Sequence, residues 1–262
     1  MSVTLNICKR GHGPRLVLLH GWGMNGAIFN PLIDYLKQDF EIWNVDLPGH
    51  GRSGLVELAF DQQLEVLAQA LPSAILLGWS MGGLYATELA HRYPEKFSHV
   101  LLVASNPRFV QEEGWESAVS REVFDEFAES LSGDWKSTIK RFVGLQLHGA
   151  DQACQLIRHV TSLLYEGGEP QPLALRKGLE LLLIQDARDT LKSLQQPVML
   201  VLGRRDTLVP ISLLAEIHKV NPMVRVECFP HSAHVPFVSH PQQFADLLRE
   251  FTQSSSPGQN SR

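Results

Sequence analysis

Cysteine is scarce in this chain. Cys8, Cys154 and Cys228 are the three present in 262 residues, widely spaced and odd in number. That excludes a disulfide framework and a cysteine-based metal site, and it points to a reducing compartment. None of the three sits in a motif that would activate a thiolate, so all are expected to be buried or half-buried thiols rather than nucleophiles. Long apolar runs are missing too. The longest, such as Leu179 to Ile184, fall far short of the roughly 20 residues that span a bilayer. Met1 to Arg10 lacks the apolar core of a secretory leader, so the expected location is the cytoplasm. Positive charge is not in excess: the net charge is −5, which leaves no electrostatic footprint for nucleic acid. No His/Cys/Asp cluster has metal-ligand spacing, no glycine-rich phosphate loop appears, and there is no internal repeat. No cofactor is expected, and the chain is expected to act as a monomer.

The composition, 44% hydrophobic and 19% charged, is that of a chain able to bury a sizeable core. Apolar stretches alternate in length and period. Val3 to Cys8 alternates with period two and suits an edge strand. Arg15 to His20, Phe40 to Val45, Ala74 to Leu77, Phe97 to Ala104, Pro197 to Leu202 and Val224 to Phe229 are short, near-continuous runs, as in strands buried on both faces. Helical patterns fall between them, over Ile28–Leu36, Glu57–Leu71, Leu84–His91, Ile211–Val220 and Pro241–Phe251. Such alternation means βαβ units and a mostly parallel sheet, with the loops after the strands gathered at one sheet edge, where ligands bind.

Between Pro107 and about Pro172 the rhythm changes. Val119–Leu131, Asp134–Leu147 and Asp151–Tyr165 read as helices, with no convincing buried strand among them, and Pro172–Leu191 is mostly helical. The expected organisation is a core of residues 1–109 and 173–262, interrupted by an all-helical cap over 110–172. The polar tail, 254–262, is expected to be disordered.

The chemistry centres on Gly78-Trp79-Ser80-Met81-Gly82, a G-x-S-x-G match between an apolar run and a helical pattern. A sharp turn there would expose the Ser80 hydroxyl at the strand end, with glycines allowing close approach around it. The Met81 N–H would lie in the first helical turn, where donors point outward unpaired. A serine hydroxyl needs a base, and the base an orienting acid. Asp206 follows the Pro197–Leu202 strand, and His234 lies in the loop after the last strand. Both fall on the same sheet edge as Ser80, in the chain order Ser, Asp, His. Eleven histidines are present. His231 sits closer to the strand end, and His240 precedes Pro241 as a helix-start residue. Asp186 and Asp189 are rival acids, but both fall in a helical pattern. His20 suits a loop-shaping role, and Asp46 and Arg52 a turn-bracing one.

Together, His20-Gly21-Trp22-Gly23, Asp46-Leu47-Pro48-Gly49-His50-Gly51-Arg52-Ser53, Gly78 to Gly83, Gly203-x-x-Asp206 and Ala233-His234 resemble the α/β-hydrolase superfamily over almost the whole chain. The resemblance implies a serine-dependent carboxylic-ester hydrolase with Ser80, Asp206 and His234 catalytic and the Trp22 and Met81 backbone N–H groups as oxyanion donors. Finer wording, in Leu18 to Gly23, Leu77 to Leu84, Val103-Ala104-Ser105, Arg141 to Gln146 and Ala233 to Pro241, resembles the BioH-type esterases of biotin synthesis. Those enzymes cleave the methyl ester of pimeloyl-acyl carrier protein. By that resemblance Trp22, Met81 and the segment Phe142, Val143, Gly144, Leu145 and Gln146 line the acyl pocket.

An acidic carrier protein calls for a basic face. Glu112 to Asp134 carries eight acids and one base, Arg121. Trp135 to Tyr165 carries Lys136, Lys140, Arg141 and Arg158 against Asp151 alone. Lys136, Lys140 and Arg141 share one side of a helix and are the docking candidates with Arg158. The alternative is an ordinary solvated face. Ser137 and Cys154 stand where the resembled family carries further arginines. A general short-chain carboxylesterase or a carbon–carbon bond hydrolase could use the same triad, and a non-catalytic hydrolase-like binding protein is the reading from another class. Haloalkane dehalogenases and epoxide hydrolases carry Asp where Ser80 stands, which disfavours them.

Overall fold

The computed structural model describes residues 4–54 and 57–254. Among them are seven strands: β1 (Ile7–Arg10), β2 (Arg15–Leu19), β3 (Glu41–Val45), β4 (Ala74–Trp79), β5 (Phe97–Val103), β6 (Val198–Gly203) and β7 (Arg225–Phe229). They form one sheet in the order β1-β3-β2-β4-β5-β6-β7. All neighbours are parallel except β1, which runs antiparallel to β3. The apolar runs explain the order. β4 and β6 are buried along their whole length, and β2 and β5 nearly so, which suits central strands covered on both faces. β1 and β7 carry exposed residues and lie at the edges.

Helices α1 (Asn30–Leu36), α2 (Phe60–Ala70), α3 (Met81–Arg92), α4 (Arg121–Gly133), α5 (Trp135–Gln146), α6 (Ala153–Glu166), α7 (Pro172–Ile184), α8 (Arg188–Ser193), α9 (Leu213–Val220), α10 (Pro236–Ser239) and α11 (Pro241–Ser254) flank the sheet or stand over its edge. A short 3-10 turn, Gly26–Phe29, leads into α1. α1 packs with α10 and α11, and α3 with α2 and α8. The sheet passes from β5 directly to β6, so residues 104–197 leave it and return beside the point of departure. Within that excursion only isolated bridges, Val110–Val119 and Glu112–Trp115, are extended pairings. Two of its helices begin at capping side chains: Ser120 Oγ accepts from the Val123 N–H, and Asp134 Oδ1 from the Ser137 N–H.

Several boundaries differ from the sequence reading, each for a local reason. Of the expected strand over Val3–Cys8, Val3 lies outside the described residues and only Ile7 and Cys8 pair in β1. Asn6 gives its N–H to Ser53 Oγ and its side-chain amide to Asp46, which ties the preceding chain to a loop rather than the ladder. α2 starts at Phe60, not Glu57, because the Gln62 side chain caps the Ala59 N–H. Val119 stays outside α4, exchanging hydrogen bonds with Phe109 and Gln111. The stretch Pro172–Leu191, expected to be mostly helical, is broken at residues 185–187, where the Ala187 N–H turns to the Pro107 carbonyl. α10 was not expected. The tail expected to be disordered lies, past Ser254, outside the described residues. All three cysteines are exposed rather than buried: Cys8 and Cys228 are on edge strands and Cys154 is on the outer side of α6.

Candidate active site

Ser80 stands between β4 and α3 with φ 54° and ψ −121°. A non-glycine residue held there costs about 1–3 kcal/mol, and the surroundings must enforce it. They do so by close approach. A side chain at Gly78 would collide with the Gly82 carbonyl, and one at Gly82 with the Leu19 carbonyl. The Ser80 N–H is tied to the Val103 carbonyl at 2.9 Å. The strand-to-helix turn thus lifts the hydroxyl above the ends of β2 and β5.

The hydroxyl meets a base. Ser80 Oγ donates to His234 Nε2 at 3.0 Å, and His234 Nδ1–H donates to Asp206 Oδ2 at 2.7 Å. Asp206 Oδ1 accepts the N–H groups of Leu208 and Val209 at 2.8 and 3.1 Å. The carboxylate is therefore fully engaged and fixed in rotation. Ser80, His234 and Asp206 are all buried. The His234 backbone is held at both ends: its carbonyl accepts the Trp79 indole N–H at 2.9 Å, and its N–H donates to the Gln146 carbonyl at 3.0 Å.

Two backbone donors complete the site. The Gly21-Trp22 loop rests against the serine, since a side chain at Gly21 would touch Ser80 Cβ at 3.1 Å. Neither the Trp22 nor the Met81 N–H donates to an acceptor among the described residues. Unpaired donors beside a serine can hold a developing oxyanion. The Trp22 ring is pinned by its Nε1–H to the Leu175 carbonyl at 2.8 Å and packs edge-on against Phe127 and Phe142.

His20 sits behind that loop. Its Nδ1–H donates to the Gly21 carbonyl and its Nε2 accepts the Leu47 N–H. Burial, then the neighbouring His50, drive its pKa down to about 3, and burial also lowers that of His50. Asp46 braces the same loops, accepting the N–H groups of Gly26 and Arg52. A histidine with a depressed folded pKa contributes fully above its unfolded value and loses that contribution as pH falls toward the folded one. Stability should therefore decline from pH 6.5 toward about 3 as the unfolded chain takes up protons first. The slope approaches about 1.4 kcal/mol per pH unit for each histidine. Urea unfolding across this range should show a shallower decline for His50→Gln than for the natural chain. Parallel curves would refute the assignment.

Above Ser80 and His234 lies an apolar slot of about 90 Å³. Its walls are Trp22, Val123, Phe124 and Phe127 of α4, Phe142 and Leu145 of α5, and Leu179 and Leu182 of α7. Such a slot accepts a neutral acyl chain and gives no partner to a free charge. The residues from 16 to 247 match the model of the alpha/beta hydrolase family. The chain belongs to the alpha/beta hydrolase family. It is 40% identical over 255 residues to a pimeloyl-[acyl-carrier protein] methyl ester esterase of Aeromonas hydrophila subsp. hydrophila, covering 96% of this chain and 99% of that one. A protein of the same name from Xanthomonas axonopodis pv. citri is 39% identical over 246 residues, 93% and 97% of the two chains. In fold the chain is similar to an esterase from Exiguobacterium antarcticum, with a TM-score of 0.85 and 22% identity over 96% of each chain.

In this hydrolase the predicted site residues separate. Ser80, His234 and Asp206 come together, with the Trp22 and Met81 backbones alongside. Of the predicted pocket segment, Phe142 and Leu145 line the slot. Val143 is buried elsewhere, Gly144 faces open space, and Gln146 serves His234 through its carbonyl. Asp186 is not helical: it lies in the break before α8 and pairs with Arg188. His231 is exposed beside Asp151 and Arg205. The slot walls from α4 and α7 were missed. For α4 the signal was Phe124 and Phe127, apolar at i and i+3 and flanked by acidic residues, and for α7 Leu179 and Leu182 at the same spacing. Among the described residues no group of three or more His, Cys, Asp or Glu could hold a metal ion, and no helix is long and apolar enough to cross a membrane.

Proposed function

We propose that this hydrolase is a serine carboxylesterase that cleaves the methyl ester of pimeloyl-acyl carrier protein in biotin synthesis. The supporting observation is likeness, at 39–40% identity over nearly the whole chain, to relatives of that name, in a molecule whose Ser80, His234 and Asp206 hydrogen-bond in series beneath an apolar slot. Ser80 Oγ attacks the ester carbonyl carbon while His234 Nε2 takes its proton. Asp206 stabilises the imidazolium, and the Trp22 and Met81 N–H groups hold the oxyanion. The intermediate collapses, and methanol leaves with the proton from His234. Water, deprotonated by His234, then attacks the acyl-Ser80; the second intermediate collapses, His234 returns the proton to the departing Ser80 Oγ, and the free acid is released. A methyl ester is neutral and so matches the apolar lining of the slot. The carboxylate produced is not solvated there, which favours its departure.

Residues 110–172 act as a cap. A slot of about 90 Å³ is smaller than the roughly 300 Å³ of ordinary ligand pockets, so α4 and α5 part to admit the chain. The carrier would dock on the basic side of the cap. Lys136 is already paired with Glu169 at 2.8 Å, and Arg141 leans on Ser130 Oγ. Lys140 and Arg158 are exposed with no ion-pair partner among the described residues and are the stronger candidates.

The test is kcat/KM on pimeloyl-carrier methyl ester beside a free short-chain methyl ester, at low and high salt. The expected result is a strong preference for the carrier-bound ester that weakens as salt screens the contact. Equal turnover of the small ester, indifferent to salt, would make this a general esterase and leave Lys140 and Arg158 as solvated surface.

A further inference from the structure

The turn between α5 and α6 is fastened to both loops that carry the acid and the base. Arg205 immediately precedes Asp206. Its N–H donates to the Ser232 carbonyl, two residues before His234, at 3.0 Å. Its guanidinium Nη1 reaches across to the cap turn, donating to the Gly149 carbonyl at 2.8 Å and to Asp151 Oδ1 at 2.6 Å. Its Nη2 lies 3.3 Å from His231 Nδ1. Three residues earlier in the same turn, the Gln146 carbonyl that closes α5 accepts the His234 N–H. One short piece of cap therefore touches the base directly and the acid's loop through one arginine. The same helix end supplies Phe142 and Leu145 to the slot.

We infer that Arg205 and Asp151 are positioning residues, a latch that seats the α5–α6 turn so that the Gln146 carbonyl holds His234 in reach of Ser80. The inference rests on the proposed roles of Ser80 and His234 but not on the identity of the carrier-bound substrate. Its physical basis is the direction of the contacts. The His234 ring is aimed by its backbone as well as by Asp206. If the cap turn lifts, the His234 N–H loses its acceptor, and nothing else among the described residues replaces it. The slot is too narrow to fill without cap movement, so the latch must open for entry and close again for chemistry. The acid–base pair is then fully ordered only with the cap seated. An ion pair with Asp151 61% exposed adds little to global stability. Its effect is local, on the geometry of one loop.

The experiment compares Asp151→Ala, Arg205→Ala, the double variant and Arg205→Lys on a small soluble ester such as p-nitrophenyl butyrate. His234 amide exchange is followed by NMR and Tm by calorimetry. The expected result is a fall in kcat of about tenfold for each single variant, with a smaller change in KM, since small misplacements of reacting groups cost rate. The double variant should be no worse than Arg205→Ala alone, because Arg205→Ala already removes the Asp151 contact together with the Gly149 one. Arg205→Lys should recover part of the loss by keeping the pair with Asp151. The His234 N–H should exchange faster in the alanine variants at unchanged Tm. Unaltered kcat and unaltered His234 exchange in both alanine variants would overturn the latch. A loss of rate that follows a fall in Tm would overturn it as well, since the residues would then be merely structural. Ser80→Ala is measured in parallel: if it retains activity, the proposed chemistry fails instead.

Discussion

Ser80→Ala should lower ester turnover on the order of 10⁴-fold or more while leaving the fold intact. The substitution removes one oxygen. Among the described residues its only partner is His234 Nε2, and the Cβ that packs against Gly21 remains. The φ of 54° is enforced by the approach of Gly78 and Gly82 to neighbouring carbonyls, so the turn has no new conformation to relax into. The Trp22 and Met81 N–H groups also remain, and residual hydrolysis by water held there sets the floor. The check has two readouts: steady-state rate on a methyl ester, and the mass of the enzyme after mixing with a slow ester. The natural chain should gain the acyl group, and the variant should gain nothing. A variant that turns over at the natural rate, or still acquires an acyl group, would remove Ser80 from the mechanism.

The serine was legible because its turn is built from glycines at fixed spacing, and such a turn has few other uses between a buried strand and a helix. Asp206 and His234 were legible for a topological reason. A parallel sheet puts every strand-following loop at one edge, so residues more than a hundred positions apart in sequence must meet there. The pocket was read less well. Phe142 to Gln146 is a contiguous segment, and contiguous residues of a helix point all round it. Only positions three or four apart share a face, which is why Phe142 and Leu145 reach the slot together and Val143 and Gly144 do not. The opposite wall comes from α4 and α7, placed by how three helices pack across one another. No short motif encodes that. The same holds for Arg205 and Asp151. Each reads as a surface charge, and their meeting depends on where a cap turn lands. The helix ends that moved, at Phe60, at Arg121 and at residues 185–187, did so where one or two local polar contacts outweighed apolar periodicity.

Asp206→Asn should cost on the order of 10⁴-fold in kcat, and the reason lies in the two backbone donors behind it. Asp206 Oδ1 accepts the Leu208 and Val209 N–H groups, and Oδ2 accepts His234 Nδ1–H. An asparagine keeps one acceptor oxygen. Turned to face His234, it would point its amide hydrogens at two N–H donors in a buried loop, at a cost of several kcal/mol. The oxygen must instead stay on Leu208 and Val209, which leaves the NH₂ facing Nδ1. Nδ1 then has to accept, the ring proton moves to Nε2, and Nε2 can no longer take the proton from Ser80 Oγ 3.0 Å away. The geometry survives and the tautomer is wrong. The expected signature is a collapse of kcat with KM and Tm little changed, and imidazole nitrogen shifts showing the proton on Nε2. Ser80→Ala should keep the proton on Nδ1. An asparagine variant with natural kcat would mean that Asp206 only props the loop and that the proton on His234 is placed by something else.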